Sequence, residues 1–159
     1  MQNLNSLLKI LLENKIDFVL IGGYAAVLHG ATQVTQDVDI CALLSSENLD
    51  KFRIALKDFD PRHRMNPSFK PSLLDFPSVN QKTENMYLTT TIGVLDVLEN
   101  VQPIGNFERI KSKAITVPLF GFSCSVISLD DLIEVKKSMT REKDKSILKE
   151  LLNLKNSKK

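Results

Sequence analysis

The sequence predicts an α/β chain of the α+β kind: a mixed β-sheet flanked by helices, with a helical C-terminal end. Three observations predict it. Helix-period and strand-like segments alternate through the first third of the chain, the middle reads as strands, and the end reads as two helices. The 159 residues, 43% hydrophobic and 25% charged, are an ordinary globular balance and suit one domain over residues 1–159.

Residues 3–14 place leucines at 4, 7, 8, 11 and 12, a helical spacing that Asn3 or Asn5 can cap. Residues 17–21 (DFVLI) read as a short strand ended by Gly22-Gly23. Residues 24–29 (YAAVLH) are good helix formers, and Gly30 stops them. After the polar run ATQVTQ, residues 37–44 (DVDICALL) read as a second strand that begins with two acids. Ser45-Ser46 and Glu47 open a helix to about Phe59, which Pro61 ends. Residues 60–85, with Pro61, Pro67, Pro71 and Pro77, read as a long irregular loop of the kind that carries function or moves. Residues 86–98 read as one or two strands and 113–127 as a hairpin around Pro118 and Gly121. Ser128 caps a helix, SLDDLIEVKKS, with Asp131 in or beside a capping box. A last helix covers about 142–154.

The net charge of +2 does not by itself indicate nucleic acid. Lys155, Lys158 and Lys159 read as a solvated, frayed tail. Cys41 and Cys124 belong to no metal spacing, and Cys41 sits in an apolar run, so they read as free thiols in a reducing compartment. No segment reads as a signal peptide or a membrane span, and the expected location is cytoplasmic.

The chemistry gathers on three acids. Alternation along a strand puts Asp37 and Asp39 on one face, roughly 6–7 Å apart at their Cα atoms, with Val38 turned into the core. Side by side at a buried strand end, the two carboxylates repel and resist ionisation unless a cation joins them. An all-oxygen donor set suits Mg²⁺ or Mn²⁺. A DxD pair alone reads as two solvated acids. Asp96, one acid in the apolar run GVLDVL, changes that balance, because a buried strand acid is uncommon unless paired or metal-bound. Three convergent carboxylates can hold two ions about 3.5–4 Å apart, as phosphoryl transfer needs. Upstream, Gly22 and Gly23 join a strand to a helix N-terminus. This is either a tight turn or a phosphate site, where backbone N–H groups and the helix dipole favour an anion. It is neither a P-loop nor a dinucleotide fingerprint.

The run IGGYAAVLHGATQVTQDVDICALL, followed by GVLDVL, resembles the polymerase-β-type nucleotidyltransferase superfamily. It is similar to small bacterial and archaeal members, among them AbiEii-type toxin enzymes and lincosamide nucleotidyltransferases. ISLDDLIEVKKSMTREKDKSILKEL resembles their C-terminal pattern of a lysine-bearing helix followed by Arg-x-Lys-Asp. The resemblance spans about residues 5–152 and carries no motif over 58–90. It implies the nucleotidyltransferase fold and transfer of a nucleoside monophosphate from an NTP to an acceptor hydroxyl, on tRNA, a protein or a small molecule. It implies that Gly22 and Gly23 hold the β- and γ-phosphates, that Asp37, Asp39 and Asp96 bind Mg²⁺ or Mn²⁺, and that Asp96 helps deprotonate the acceptor. Lys136 and Arg141 match basic positions that contact phosphates, and Asp144 anchors their turn. A toxin–antitoxin role, with an antitoxin partner or a homodimer, belongs to the same implication. The departure is Gly23-Tyr24, where many members have a serine whose hydroxyl contacts the phosphates.

Thr35 reads either as a phosphate contact or as a cap of the polar loop. His29 reads as a solvated helix C-terminal residue. Arg62, His63 and Arg64 read either as an RNA-backbone contact or, more simply, as a solvated charge run. The rival to an enzyme is a catalytically silent module of the same fold that binds nucleotide or a partner. A metal-dependent phosphohydrolase is a third reading, which the glycine turn fits less well.

Overall fold

The computed structural model describes residues 3–65, 69–78 and 81–157. Helix α1 (Leu4–Glu13) buries Leu7, Leu8 and Leu11, and its N-terminus is capped by Asn3, whose Oδ1 accepts from Ser6 N at 3.0 Å. Asn5 instead accepts from the Tyr24 hydroxyl at 2.6 Å. Strand β1 (Val19–Ile21) runs directly into α2 (Gly22–His29), so the glycine pair is the first turn of that helix rather than a loop before it. Strand β2 (Asp37–Cys41) is shorter than the apolar run suggests. Beyond it, Leu44 N turns away to Glu99 Oε1 at 2.7 Å, ahead of α3 (Ser46–Leu56). Ser45 caps α3, which continues as a 3₁₀ turn over Lys57–Phe59.

The stretch read as an irregular loop is part of the sheet at its start. Strand β3 (Arg62–His63) pairs antiparallel with β4 (Asn85–Thr90), and Arg62 also bridges to Ser72. A two-residue strand has no detectable period, so only its partner reveals it. Pro67 lies outside the described residues. Strands β4 and β5 (Gly93–Leu98) form a hairpin. Next come elements that hydrophobic period did not reveal: the ribbon β6 (Asn100–Val101) with β7 (Gly105–Asn106), and helix α4 (Phe107–Lys113). Helix α4 buries only Phe107 and Ile110, too few to set a period. Its signal was the cap, Asn106 Oδ1 accepting from Arg109 N at 3.0 Å. The hairpin β8 (Ile115–Leu119) and β9 (Phe122–Val126) follows as expected, then α5 (Leu129–Lys137), capped by Ser128, and α6 (Glu142–Ser157).

Among the described residues seven strands form one mixed sheet in the order β3-β4-β5-β2-β1-β9-β8. Strand β2 lies parallel to β5 and antiparallel to β1, and β1 lies parallel to β9. Val38 and Ile40 of β2, Leu95 and Val97 of β5, and Met86 and Leu88 of β4 are fully buried on one face. Helix α1 packs against β2 and β5 there, with α3 against α1. Alternation sends Asp37, Asp39, Asp96 and Tyr87 to the opposite face.

Two more sequence expectations fail here. His29 is buried, not solvated, because the C-terminus of α2 packs against α5 and α6. Its Nε2 pairs with Ile127 O at 2.7 Å. Lys155 belongs to the last helix rather than to a frayed tail, and it pairs with Asp130 at 2.9 Å. Lys158 and Lys159 lie outside the described residues. No helix among the described residues is long and apolar enough to cross a membrane.

Candidate active site

Register alone brings the three acids together. Asp39 of β2 is the direct partner of Asp96 on β5, and Asp37 lies two residues before Asp39 on the same face. Each carboxylate offers an oxygen, and these oxygens all lie within 4.8 Å of one another. Burial pushes the Asp39 carboxyl up from 3.8 to about 6. The charges of Asp96 and Asp37 add to that push, and Lys136 and Arg64 oppose it. A divalent cation would relieve this repulsion, and three carboxylates with no sulfur or imidazole are the donor chemistry of Mg²⁺ or Mn²⁺.

The glycine pair is built around Asp39. Gly22 has φ +72°, and a Cβ there would lie 2.3 Å from Asp39 Oδ2, so the carboxylate rests directly against the backbone of the first turn of α2. A Cβ on Gly23 would come 2.9 Å from Gln33 Nε2 and 3.0 Å from Thr35 Oγ1. Thr35 donates to Asp37 O at 3.0 Å and so ties the polar loop to the start of β2. Gln33, which sequence reasoning did not single out, donates from Nε2 to Gly23 O at 2.8 Å. Its Oε1 is buried without a hydrogen-bond partner among the described residues.

Lys136 of α5 and Arg141, just before α6, are held by one acid. Asp144 is fully buried and accepts from Lys136 Nζ at 3.1 Å and from Arg141 Nε at 2.7 Å. Chiefly the Arg141 hydrogen bond, with Lys136 behind it, holds the Asp144 carboxyl below its usual range despite burial. One carboxylate facing two cations leaves a net positive charge. Asp144→Ala would strand the buried Lys136 ammonium, and we expect a loss of about 3–5 kcal/mol, read from urea denaturation. Lys143 lines the same cavity, and among the described residues it makes no ion pair. Its signal in the sequence was its place in the Arg-x-Lys-Asp run.

Asp39 sits in the wall between two cavities. One, of about 270 Å³, is polar and includes Gly23, Thr35, Asp37, Lys136, Arg141 and Lys143. The other, of about 200 Å³, is largely apolar and runs past Asp96 and Tyr87 to Leu98, Val101, Leu132 and Met139. Two larger cavities do not include Asp37, Asp39 or Asp96.

The residue most clearly missed is Arg64, read from the sequence as part of a charged loop. It follows β3, and its N–H donates to Tyr87 O at 2.9 Å. Its guanidinium grips Asp96 through both nitrogens: Nη2 lies 3.0 Å from Oδ2, and Nη1 binds Oδ1. It also lies 5.5 Å from the centre of the Tyr87 ring. Arg62 and His63 face elsewhere, Arg62 pairing with Asp60 and His63 with Phe76 O.

No protein-family model matches the sequence, and no curated protein matches it. Solved structures do match its shape. The lincosamide antibiotic adenylyltransferase LnuA, lincomycin-bound, superposes with TM-score 0.63 at 18% identity over 95% of each chain. An antigenic nucleotidyltransferase-like protein from Paracoccidioides brasiliensis gives 0.59 at 16% identity, over 94% of this chain and 72% of the other. The antibiotic-resistance factor ANT(2'')-Ia gives 0.58 at 11%, over 94% and 80%. The chain has the nucleotidyltransferase fold.

Proposed function

We propose that this protein is a nucleotidyltransferase that moves a nucleoside monophosphate from an NTP to an acceptor hydroxyl, with Asp37, Asp39 and Asp96 holding Mg²⁺ or Mn²⁺. One observation carries the reading. Asp39, Lys136 and Arg141 are shared by a polar cavity beside Gly23 and a more apolar cavity beside Asp96, so a triphosphate in the first would reach its partner in the second across the carboxylates. The fold agrees with it.

The residues divide the work accordingly. The N–H groups of the first turn of α2 face the triphosphate, and the absence of side chains at Gly22 and Gly23 lets Asp39, Gln33 and Thr35 pack against that turn. Lys143, and the charge that Lys136 and Arg141 retain beyond Asp144, neutralise the phosphates. This basic trio takes over from the serine hydroxyl that Gly23 lacks. Thr35 and Gln33 hold the loop that shapes this cavity. A bound divalent cation supplies charge neutralisation at the reacting phosphorus. A carboxylate oxygen of Asp96 takes up the acceptor's proton. The bond from the acceptor oxygen to the α-phosphorus forms as the α–β bridge breaks, and pyrophosphate leaves through the basic cavity. The buried free thiols Cys41 and Cys124 suit a reducing, cytoplasmic setting.

The test offers α-labelled NTPs with Mg²⁺ to total tRNA, to cell-extract protein, and to lincosamide and aminoglycoside panels. Label transfer is expected to one of these classes and to vanish in Asp37→Ala/Asp39→Ala. Transfer that survives the double substitution would sink the site. Lys143→Ala should raise the Kd for NTP about tenfold, with a flatter salt dependence. An unchanged affinity in a nucleotide titration would remove Lys143 from the phosphate site.

A further inference from the structure

The carboxylate cluster already has a cation of its own. Arg64 spends both forks of its guanidinium on Asp96, the acid that also has to serve a metal. Both side chains are largely shielded, at 25% and 16% exposure, so this is not a loose surface pair. The arginine is anchored from behind at Tyr87, by its backbone N–H and by its position over the ring, and Tyr87 is the β4 partner of Asp96. The bidentate guanidinium takes one lone pair of each Asp96 oxygen and neutralises its charge, which leaves Asp96 a weaker ligand for a cation placed among Asp37, Asp39 and Asp96. A positive charge a few ångströms away also repels any second cation.

Resting on the nucleotidyltransferase reading above, we propose that Arg64 is an exchangeable counter-ion. It holds Asp96 in the metal-free protein and yields it when a divalent cation binds. Still anchored at Tyr87, it then turns its freed fork to a phosphate oxygen of the metal-bound nucleotide. This makes Arg64 a positioning residue that couples metal loading to nucleotide capture. The chemistry suits the residue, because a planar two-pronged donor matches a phosphate as well as it matches a carboxylate. Two other cations, Lys136 and Arg141, line the cavity beside Asp96, and both are held by Asp144; Arg62 is engaged with Asp60 and the Lys70 carbonyl.

The proposal predicts effects of opposite sign from one substitution. In calorimetric titrations of the full chain, Arg64→Gln should bind Mn²⁺ alone about tenfold more tightly than the wild type, because one repelling charge and one competing ligand are gone. The same variant should bind α,β-methylene ATP in saturating Mg²⁺ about tenfold more weakly. In an Asp96→Asn background, Arg64→Gln should leave Mn²⁺ affinity nearly unchanged. In wild-type protein labelled with ¹⁵N-arginine, the slowly exchanging guanidinium signal of Arg64 should be lost on adding Mg²⁺ alone. This readout does not depend on any variant folding. Unchanged or weaker Mn²⁺ binding by Arg64→Gln, a guanidinium signal indifferent to Mg²⁺, or undiminished nucleotide binding each overturns the proposal. Failure of both the wild type and Arg64→Gln to bind Mn²⁺ overturns the metal centre itself, which separates that outcome from failure of the exchange.

Discussion

Asp39→Asn is expected to stabilise the metal-free protein while abolishing its response to metal. The folded-state carboxyl titrates at about 6 against 3.8 for an unperturbed one, so the native state binds this proton more tightly than the unfolded state does. For a carboxylate raised in this way, the stability contribution is complete below the unfolded value. It is lost as pH climbs from about 3.8 to 6, and at pH 8 the charged side chain costs the fold about 3 kcal/mol. The isosteric amide removes that cost. In metal-free buffer at pH 8 its melting temperature should rise by roughly 6–12 °C, and the gain should shrink toward pH 4. In Mg²⁺ or Mn²⁺ the order should reverse. The wild type should gain stability through binding, the variant should not, and nucleotidyl transfer should fall by about 10³-fold. Metal affinity of the wild type should likewise weaken as pH drops through about 6, where the proton competes for Asp39. Thermal melts with and without Mn²⁺ across this pH range decide the matter. A variant no more stable than the wild type at pH 8 would mean that burial and like charge do not strain this site. Asp96→Asn should behave oppositely in metal-free buffer, losing stability, because it deprives the shielded Arg64 of its partner.

Gly22→Ala is expected to cost activity far more than stability. Its Cβ would enter Asp39 Oδ2 at 2.3 Å, and the neighbouring atoms Cβ and Cγ of Asp39 lie at 2.8 and 2.9 Å. The carboxylate must move by about 1 Å, a displacement that costs on the order of 10²-fold in rate when it misplaces a reacting group. The backbone strain of alanine at φ +72° adds about 1–2 kcal/mol of destabilisation. Gly121→Ala separates the two effects. Gly121 has φ +82°, and nothing lies within 4 Å of the Cβ it would gain, so this variant should pay the strain and keep its activity. Equal activity losses in the two variants would show that strain, not the displaced carboxylate, is responsible.

Much of this architecture was legible in one dimension. The leucines of α1, the caps Asn3, Ser45 and Ser128, and the β8–β9 hairpin are local signals, and local physics produced them. The acids were legible too, because a carboxylate inside an apolar strand is costly enough to stand out wherever it pairs. Register is another matter. That Asp39 and Asp96 are direct partners follows from β2 lying parallel to β5, a pairing of strands more than fifty residues apart in the chain. No periodicity encodes it, since either strand could meet several others with its apolar face equally buried. The same holds for Arg64, which looks like one charge in a solvated run until β3 joins the sheet edge and turns it toward Asp96. His29 and Lys155 look solvated in the sequence for the same reason, as their partners Ile127 and Asp130 come from distant segments. The sequence by itself determined most of the helices and the longer strands and singled out the three acids, because these depend on near neighbours. Only the tertiary structure decided which cation already sits on Asp96 and which acid Lys136 and Arg141 share, because charges settle their partners only after the sheet has brought them within reach.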